Sequence, residues 1–594
     1  MPAPATLRRH GRCDATGNGS SEAWFVRRNG EPLLHPAPAA SVEAPNTVRR
    51  SNRCDMDPHD YDYIIIGGGS AGCVAAGRLA GEFGARVLLL EAGGRYGARV
   101  LRAPAGFSRI LGGTRYFTQH RTVAQPQLDG RVQVIPQAKV LGGGSSVNAQ
   151  AYMRGRASDY DAWGRITRSA LWSWDAMLPH FRRAERNQKF NDRFHGCSGS
   201  LCVSDPGFIC RMSHIYVQTL QGMGLPFTPD FNRGAPAGVG YPQVTVGGGR
   251  RCSAVDAFLR PLGANPNLIV QTGAQVERIL IEHGRAVGVA YRRGGQARAA
   301  RTQGEIVLAA GAFVSPKLLM LSGVGPADAL GRLGIPVVAD LPGVGANLQD
   351  HCGVPLIAGA IGRHGYFGQD RGWRLLANGL EYALFGRGRV NTNGVEACSF
   401  HIPEDATGDP VVQIYCVPST GYVAETVRGA GASDGLTLHC VLLRPRSLGW
   451  VRLRSAAPDD PPLISPNYLE HPWDAAQLRA GLRTARAILR SPPLRDIVRA
   501  EIAPGAAAES DAALDAYLRR AVRTDYHPVG TCRMGHDADP AAVLTPDLCV
   551  RGIAGLRVID ASAMPRIVSA NTNAPTMALA DRAVTLIHPD AGSA

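Results

Sequence analysis

Short apolar runs alternate with glycine-rich turns where the interpretable part of the chain begins. Residues 61–66 are mainly apolar and β-branched, which is typical of a buried parallel strand, and a glycine-rich turn follows at once. The pattern then predicts a helix from about residue 70 to 81 and a second apolar strand over 86–90, which leads into Glu91. Strand, helix and strand in this order predict the βαβ unit of a Rossmann-type domain.

The turn over residues 67–72, called the glycine turn below, has the G-x-G-x-x-G spacing of a dinucleotide site. Glycines let the backbone approach a pyrophosphate, whose charge is favoured at the N-terminus of the following helix. A carboxylate about 20 residues further on, here Glu91, can accept hydrogen bonds from a ribose, which suits NAD or FAD and argues against NADP. The residues predicted to contact the dinucleotide here are Gly67, Gly69, Ser70, Ala71, Gly72, Glu91 and Ala92.

The basic residues do not form the pattern of a nucleic-acid site, although the formal net charge is +15. Almost all of them are arginines scattered along the chain, with lysine only at Lys139, Lys189 and Lys317, and no basic stripe is interleaved with aromatic residues. No run of roughly 18 apolar residues occurs that would span a bilayer. We therefore expect no nucleic-acid partner and no integral membrane segment.

The cysteines and histidines lack the spacing of a metal site or of a disulfide framework. The 13 cysteines include no C-x-x-C pair, and no signal-peptide pattern opens the chain. Reduced thiols and a cytoplasmic location are expected, with peripheral attachment to the inner membrane left open, and no metal site is predicted. Residues 1–56, rich in Arg, Pro, Ser and Gly without apolar periodicity, are predicted to be a disordered extension.

Two longer segments narrow the function to one family. The segment AKVLGGGSSVN at 138–148 and the segment GAFVSPKLLMLSGVG at 311–325 each resemble, over their full length, a signature of the glucose-methanol-choline (GMC) oxidoreductases. The resemblance continues in collinear order from about residue 59 to 588. It implies that the glycine turn binds FAD, and no second G-x-G-x-x-G follows a strand where NAD would dock.

The resemblance also implies a two-domain fold of the α/β plus α+β class. Residues 57–160, 250–345 and 525–591 would form a discontinuous, Rossmann-type FAD-binding domain. Residues 161–249 and 346–524 would form a substrate-binding domain built on an antiparallel sheet with helices. The segments 437–444 and 450–453 are predicted as strands of that second domain.

Further cofactor contacts are implied by matching the family's motifs residue by residue. Residues 560–561 would contact the pyrophosphate or ribityl part of FAD, residues 573–574 the flavin ring, and residue 276 the adenine. Val147 stands where some relatives carry a histidine that binds flavin covalently, so noncovalent FAD is expected. The residues predicted in this way are Leu141, Gly142, Asn148, Ala149, Val276, Asp560, Ala561, Asn573 and Ala574.

The segment YHPVGTCRMG at 526–535 resembles the active-site segment of the family, and its His527 matches the catalytic histidine. Alcohol oxidation needs a group that takes the hydroxyl proton, and a histidine with a pKa of about 6.5 suits that work. Asn571 matches a second active-site position, where relatives carry histidine or asparagine, and its amide can hydrogen-bond the substrate oxygen. For His351 a structural role close to the flavin domain is predicted.

The position of Gly353 bears on the substrate, because choline-oxidising relatives carry a carboxylate there. Stretches at 223–226, 229–232 and 250–253 instead resemble the L-sorbose dehydrogenases of the family. The predicted function is FAD-dependent oxidation of a small uncharged primary alcohol, polyol or sugar to the aldehyde or ketone, with His527 as general base. A quinone, another carrier or oxygen would accept the electrons.

Four alternatives to this function remain open at this point. They are an enzyme of the choline dehydrogenase type, an aliphatic alcohol oxidase or dehydrogenase, a redox-silent hydroxynitrile lyase on the same fold, and a noncatalytic flavin-binding protein. The sequence decides neither the particular alcohol nor the oligomeric state.

Overall fold

The computed structural model describes residues 61–234, 237–402, 408–421 and 433–588. The predicted extension over 1–56 lies outside these residues. The helices are α1 Ser70–Glu82, α2 Arg99–Arg102, α3 Phe107–Ile110, α4 Ala157–Thr167, α5 Trp174–Ala184, α6 Arg211–Gly222, α7 Gly311–Leu321, α8 Ala327–Arg332, α9 Gly372–Phe385, α10 Pro472–Leu489, α11 Asp511–Ala521 and α12 Asn573–Ile587.

The strands, in chain order, are β1 Tyr61–Ile66, β2 Val87–Glu91, β3 Phe117–Arg121, β4 Val134–Ala138, β5 Glu185–Asn187, β6 Leu201–Val203, β7 Gly238–Gly240, β8 Val246–Gly247, β9 Arg250–Arg251, β10 Leu268–Thr272, β11 Ala274–Glu282, β12 Arg285–Arg293, β13 Gln296–Leu308, β14 Val324–Gly325, β15 Ala339–Asp340, β16 Cys352–Ala360, β17 Ala397–His401, β18 Val412–Val417, β19 Gly435–Leu442, β20 Trp450–Arg452, β21 Leu463–Ser465, β22 Val498–Ala503, β23 Arg523–Thr524 and β24 Leu556–Val558.

The first large sheet has the order β10-β2-β1-β13-β12-β11, with β24 beside β13. Strand β1 pairs in parallel with both β2 and β13, and β24 continues the parallel part, whereas β11 and β12 form an antiparallel extension. The predicted strand over 61–66 is confirmed, and the predicted helix after the glycine turn is found as α1. The second predicted strand is shifted by one residue, since β2 includes Glu91.

Burial on both faces explains the continuous apolar runs of this sheet. Ile64, Ile65 and all of β2 are buried, as expected for parallel strands covered by helices on each side. Helix α1 covers one face and packs against α12, which returns from the far end of the chain. The βαβ unit predicted from the N-terminal pattern therefore depends on residues about 500 positions away for part of its packing.

The second large sheet is antiparallel, with the order β22-β16-β19-β18-β17-β7 and with β23 beside β16. Every residue of β18 and β19 is buried, because helices α10 and α6 pack against the sheet. The strand predicted over 437–444 is found as β19. The strand predicted over 450–453 also forms, as β20, but it pairs with β21 in a separate two-stranded sheet.

A Rossmann-type sheet joined to an antiparallel sheet with helices confirms the predicted fold class. Every strand of the first sheet lies within residues 57–160, 250–345 or 525–591, and every strand of the second lies within 161–249 or 346–524. The exact division into an FAD-binding and a substrate-binding domain stays a prediction. None of the helices in the described part of the chain has both the length and the apolarity needed to cross a membrane.

The glycine turn brings two backbone segments into close contact at Gly72. A Cβ added at this position would lie 1.9 Å from the carbonyl oxygen of Gly67. We expect Gly72→Ala to lower the free energy of unfolding by about 1–3 kcal/mol, because overpacking outweighs the gain that alanine brings to a helix, which is at most ~1 kcal/mol. Thermal unfolding of the variant measures the loss.

The matched control is Gly331 in α8, where an added Cβ would meet nothing within 4 Å. Gly331→Ala is expected to leave the unfolding temperature unchanged or slightly raised. Equal unfolding temperatures for the Gly72→Ala and wild-type proteins would contradict the expected close contact.

Candidate active site

A cavity of about 650 Å³ lies where the parallel strands of the first sheet end. This edge is where open α/β sheets bind their ligands. The predicted site residues that line the cavity are Gly67, Gly69, Ser70, Ala71, Glu91, Ala92, Asn148, Ala149, Val276, His527, Asp560, Ala561, Asn571 and Asn573. The other predicted residues do not line it and are buried behind its wall, namely Gly72, Leu141, Gly142 and Ala574.

The start of α1 has the chemistry of a phosphate site. Gly67 has φ +100°, and a Cβ there would lie 2.5 Å from the carbonyl oxygen of Ala309, so only glycine suits the position. No side chain caps α1, and no acidic residue stands in its first turn. The positive end of the helix therefore faces the cavity without a capping side chain and without an acid in its own first turn.

Glu91 joins two turns at this end of the cavity. Its carboxylate accepts a hydrogen bond from the backbone N–H of Gly68 at 2.9 Å and another from that of Gly93 at 2.6 Å. Burial raises the pKa of Glu91, and the two backbone donors act in the opposite direction. Contact between Glu91 and a ribose stays a prediction, but the carboxylate has a second role that its position in the sequence did not indicate.

The segment 138–148 supports the glycine turn from behind. The backbone N–H of Gly142 donates to the carbonyl of Gly68 at 2.6 Å, and that of Leu141 donates to Gly94 at 3.0 Å. Asn148 faces the cavity, and its side-chain oxygen accepts a hydrogen bond of 2.6 Å from Arg251. Gly142 therefore supports the glycine turn through its backbone, and Leu141 supports the turn that follows β2.

The C-terminal segments complete the cavity wall beside the glycine turn. Asp560 accepts hydrogen bonds from the backbone N–H groups of Gly311 at 2.7 Å and Ser562 at 2.8 Å. The Ser70 hydroxyl donates to the side-chain oxygen of Asn573 at 2.7 Å, which ties the start of α1 to the start of α12. The first and last motifs of the sequence thus meet directly.

Two backbone features fix the position of His527, namely a hydrogen bond from its N–H and the unusual conformation of the preceding residue. Its N–H donates to the carboxylate of Asp350 at 2.8 Å, and Tyr526 adopts φ +66°, a left-handed conformation that is uncommon for a bulky residue. The imidazole Nδ1 lies 3.0 Å from Nδ1 of His351, and Nε2 lies 3.2 Å from the amide nitrogen of Asn571. The predicted pair of His527 and Asn571 is therefore in contact.

The hydrogen bonds around these rings determine which nitrogen carries the proton. Burial lowers the pKa of His527 and lowers that of His351 to about 3, so both rings are neutral. Nε2 of His351 lies 3.1 Å from the carbonyl of Leu443, which only accepts, so the proton of His351 is on Nε2. Nδ1 of His527 must then donate to His351, which leaves Nε2 of His527 unprotonated, with its lone pair directed at the side-chain amide of Asn571.

The orientation of the Asn571 amide follows from the same reasoning. The hydroxyl of Tyr415, on β18, donates to the Asn571 side-chain oxygen at 3.1 Å. The amide nitrogen therefore points toward Nε2 of His527 as a donor. Both the proton acceptor and the amide donor line the cavity at one place.

Several cavity residues escaped the sequence motifs because they lie in the strands of the second sheet or, as Asp525 does, directly after one. Asp525 pairs with His439 at 3.4 Å and approaches Nδ1 of His527 at 3.6 Å. Tyr415 and His439 stand opposite each other in the register of β18 and β19. No local pattern marks them, since their place depends on long-range strand pairing. His351, predicted to be structural, contacts the imidazole of His527 directly.

Two relatives match the chain over most of its length. The alcohol dehydrogenase (acceptor) of Pseudomonas putida is 39% identical over 534 residues, which are 89% of this chain and 95% of that protein. The mitochondrial choline dehydrogenase of Homo sapiens is 38% identical over 535 residues, 89% of this chain and 90% of that protein. Among solved structures, formate oxidase of Aspergillus oryzae RIB40, studied for its FAD modification, superposes with a TM-score of 0.83 at 26% identity, covering 90% of this chain and 100% of that one.

The fold and the site together define a flavin-dependent oxidoreductase that binds FAD and acts on CH–OH groups. The family model described as GMC oxidoreductase matches residues 61–353 with its N-terminal part and residues 445–580 with its C-terminal part. The chain belongs to the GMC oxidoreductase family, as its motifs predicted.

Substitution of Glu91 tests whether its carboxylate shapes the end of the cavity that is lined by the glycine turn. Glu91→Ala should weaken FAD retention by about 10- to 100-fold, equivalent to about 1.4–2.8 kcal/mol, because the two backbone N–H groups that hold the turns in place lose their acceptor. The dissociation constant, measured by recovery of flavin fluorescence on release, reports the change.

Two further variants show whether that effect is specific to the buried carboxylate. Glu91→Gln keeps an acceptor oxygen and is expected to weaken FAD binding less than Glu91→Ala. Glu509→Ala removes an exposed carboxylate away from the cavity and should leave FAD retention unchanged. If Glu91→Ala retained FAD as well as Glu509→Ala, the role of Glu91 in shaping the site would be wrong.

Proposed function

We propose that this enzyme oxidises a small uncharged alcohol, such as a primary alcohol, polyol or sugar, to the aldehyde or ketone, with His527 as the general base. The observation that carries the proposal is the unprotonated Nε2 of His527, whose lone pair faces the amide donor of Asn571 in the cavity. A substrate hydroxyl that replaces this contact would donate to Nε2 of His527 and accept from the amide of Asn571.

The residues of the chain would divide the work as follows. The glycine turn, Glu91, Val276, Asp560 and Asn573 would hold FAD, which supplies the acceptor for the hydride that leaves the carbinol carbon. His527 takes the hydroxyl proton at Nε2, and Asn571 orients the oxygen. The positive charge that then forms on His527 is stabilised by the carboxylate of Asp525, 3.6 Å from Nδ1.

The space around Gly353 supports an uncharged substrate. A Cβ at this position would lie 2.6 Å from Nε2 of His439, so the histidine occupies the room that a side chain at residue 353 would need. His439 in turn pairs with Asp525. A carboxylate beside the cavity is thus already engaged by His439 and His527, and the carboxylate that resemblance associates with choline is replaced by glycine.

The cavity walls also suit an uncharged substrate, because Phe107, Leu111, Val395 and Val417 line it. Val147 lines it as well, at the position where some relatives have a flavin-linked histidine, and this supports noncovalent FAD.

The proposed FAD-binding domain consists of residues 57–160, 250–345 and 525–591, and the proposed substrate-binding domain consists of residues 161–249 and 346–524. The acceptor, whether a quinone, another carrier or oxygen, is tested by assays with and without oxygen.

His527→Ala should reduce turnover by at least about 10²- to 10⁴-fold, the range that general-base catalysis contributes, while FAD stays bound. A base works only when unprotonated, so activity is present above its pKa and lost below it. Because burial lowers the pKa of His527, the acid limb of kcat/KM should lie below pH ~6.5, the ordinary histidine value. Steady-state kinetics across pH with an artificial acceptor measure both effects.

Asp525 provides the control for this assignment, since its charge raises the pKa of His527. Asp525→Asn should move the acid limb to still lower pH. His283→Asn, at an exposed position, should change neither the rate nor the pH profile. Near-normal turnover by His527→Ala with FAD bound would show that another group accepts the proton.

The charge of the substrate is tested with two alcohols of the same shape. Choline and 3,3-dimethylbutan-1-ol differ mainly in the positive nitrogen, which is a neutral carbon in the second compound. We expect kcat/KM to be at least about tenfold higher for the uncharged alcohol, equivalent to about 1.4 kcal/mol in transition-state binding, because Asp525, the carboxylate next to His527, is already paired with His439 and would not compensate the desolvated cation.

A preference for choline over 3,3-dimethylbutan-1-ol would contradict the proposed substrate class and favour the choline dehydrogenase type. Glycerol and hexitols in the same assay separate polyol substrates from aliphatic ones. Anaerobic bleaching of the flavin by none of these alcohols would contradict alcohol oxidation itself and favour the lyase alternative.

A further inference from the structure

Helix α9 is amphipathic, but its apolar face is turned toward solvent and not toward the core. The apolar stripe of a surface helix normally faces the core, yet no residue of α9 is buried. Trp373, Leu376, Leu380 and Leu384 recur at helical spacing with 72%, 74%, 61% and 64% of their surface exposed, and Phe385 follows with 63%. A continuous apolar stripe therefore faces solvent along the whole helix.

The polar side of α9 faces the protein and fixes this orientation. The hydroxyl of Tyr382 donates to the carbonyl of Gly249 at 2.8 Å, and the amide of Asn378 donates to the carbonyl of Gln369 at 3.0 Å. Both residues lie on the side of the helix opposite Leu376 and Leu380. Rotation of the helix to bury its apolar stripe would break these contacts, so the exposed stripe is built into the fold.

Arginines surround both ends of the helix. Arg363, Arg371 and Arg374 lie before or within the first turn, and Arg387 and Arg389 follow the last. The side chains of Arg371 and Arg387 are 70% and 71% exposed. The acids of this stretch are Asp370 and Glu381, each of which lies within 4 Å of one of these arginines. The surface around the apolar stripe therefore carries excess positive charge.

We propose that α9 docks this enzyme on the surface of an anionic lipid bilayer. A helix with apolar and aromatic residues on one face and arginines beside them is suited to lie in the headgroup region, where the arginines meet lipid phosphates. Pairing of two copies through the same stripe would bring their arginine-rich ends together. Anionic headgroups neutralise that charge, so the charge pattern favours lipid over a second copy.

The position of α9 gives this docking a consequence for the enzyme beyond its proposed reaction. The segment after α9 bonds to the start of the 104–111 segment through the N–H of Ala105 and the carbonyl of Val390, at 3.1 Å. The segment before α9 contacts Arg109 through the carbonyl of Asp370. Phe107 and Leu111 of that segment line the active-site cavity. Docking would thus place a bilayer beside the cavity wall.

Cosedimentation of the FAD-loaded, full-length enzyme with vesicles tests the proposal. Vesicles of phosphatidylcholine mixed with phosphatidylglycerol should carry the wild-type enzyme into the pellet, and raised salt or phosphatidylcholine alone should weaken binding. The double variant Leu376→Glu with Leu380→Glu should stay in the supernatant. Arg387→Gln and Arg389→Gln should each weaken binding about fivefold, as expected for one basic residue at a charged surface.

Leu448→Glu is the matched control, because Leu448 is 48% exposed and lies outside α9. It should bind the mixed vesicles as the wild type does. All variants should keep bound FAD and unchanged turnover with a soluble acceptor, which shows that they are folded and separates this test from that of the proposed function.

Three results would overturn the proposal. The first is absence of the wild-type enzyme from the pellet with mixed vesicles. The second is a double variant in α9 that pellets as strongly as Leu448→Glu. The third is a dimer, seen by size-exclusion chromatography without lipid, that the double variant dissociates while neither protein binds vesicles; a second copy would then cover α9.

Discussion

The buried carboxylate of Glu91 holds two turns together, and the shape of the cofactor end of the cavity depends on it. A buried carboxylate is costly unless donors surround it, and here the N–H groups of Gly68 and Gly93 supply them. The contact is possible because neither donor has a side chain; a Cβ at Gly93 would lie 2.2 Å from the carbonyl of Lys139. The Gly68 carbonyl then accepts from Gly142, so the hydrogen bonds continue into the 138–148 segment.

The opposite end of the cavity depends on a second chain of hydrogen bonds that begins at the Leu443 carbonyl. That carbonyl can only accept, so it directs the proton of His351 and, through it, the proton of His527. Tyr415 sets the Asn571 amide in the same way. Burial lowers the pKa of His527 and Asp525 raises it, and the two opposing effects place a neutral imidazole next to a carboxylate that would stabilise its charged form.

The sequence predicts those parts of the molecule that are set by local pattern. The bounds of β1, the start of α1 and the contact between His527 and Asn571 follow from apolar runs, glycine spacing and motif resemblance. Tyr415 and His439 could not be predicted, because they reach the cavity only through the pairing of β18 with β19. The same limit applies to Gly353: its lack of a carboxylate is visible in the sequence, but the histidine that fills the space is not.

Helix α9 shows why periodicity alone misses a surface function. Leucines at helical spacing predict an apolar stripe, but the direction of the stripe is set by contacts such as the hydrogen bond of Tyr382 to the Gly249 carbonyl, far away in sequence. The effect of the arginines also depends on where they lie in space and not on their distribution along the sequence. Arginines scattered over the whole chain argue against a nucleic-acid site, yet a bilayer surface attracts only basic residues within about a Debye length of the lipid. The five arginines and two acids between residues 363 and 389 are therefore the charges that bear on lipid binding by α9, whatever the distribution of charge elsewhere in the chain.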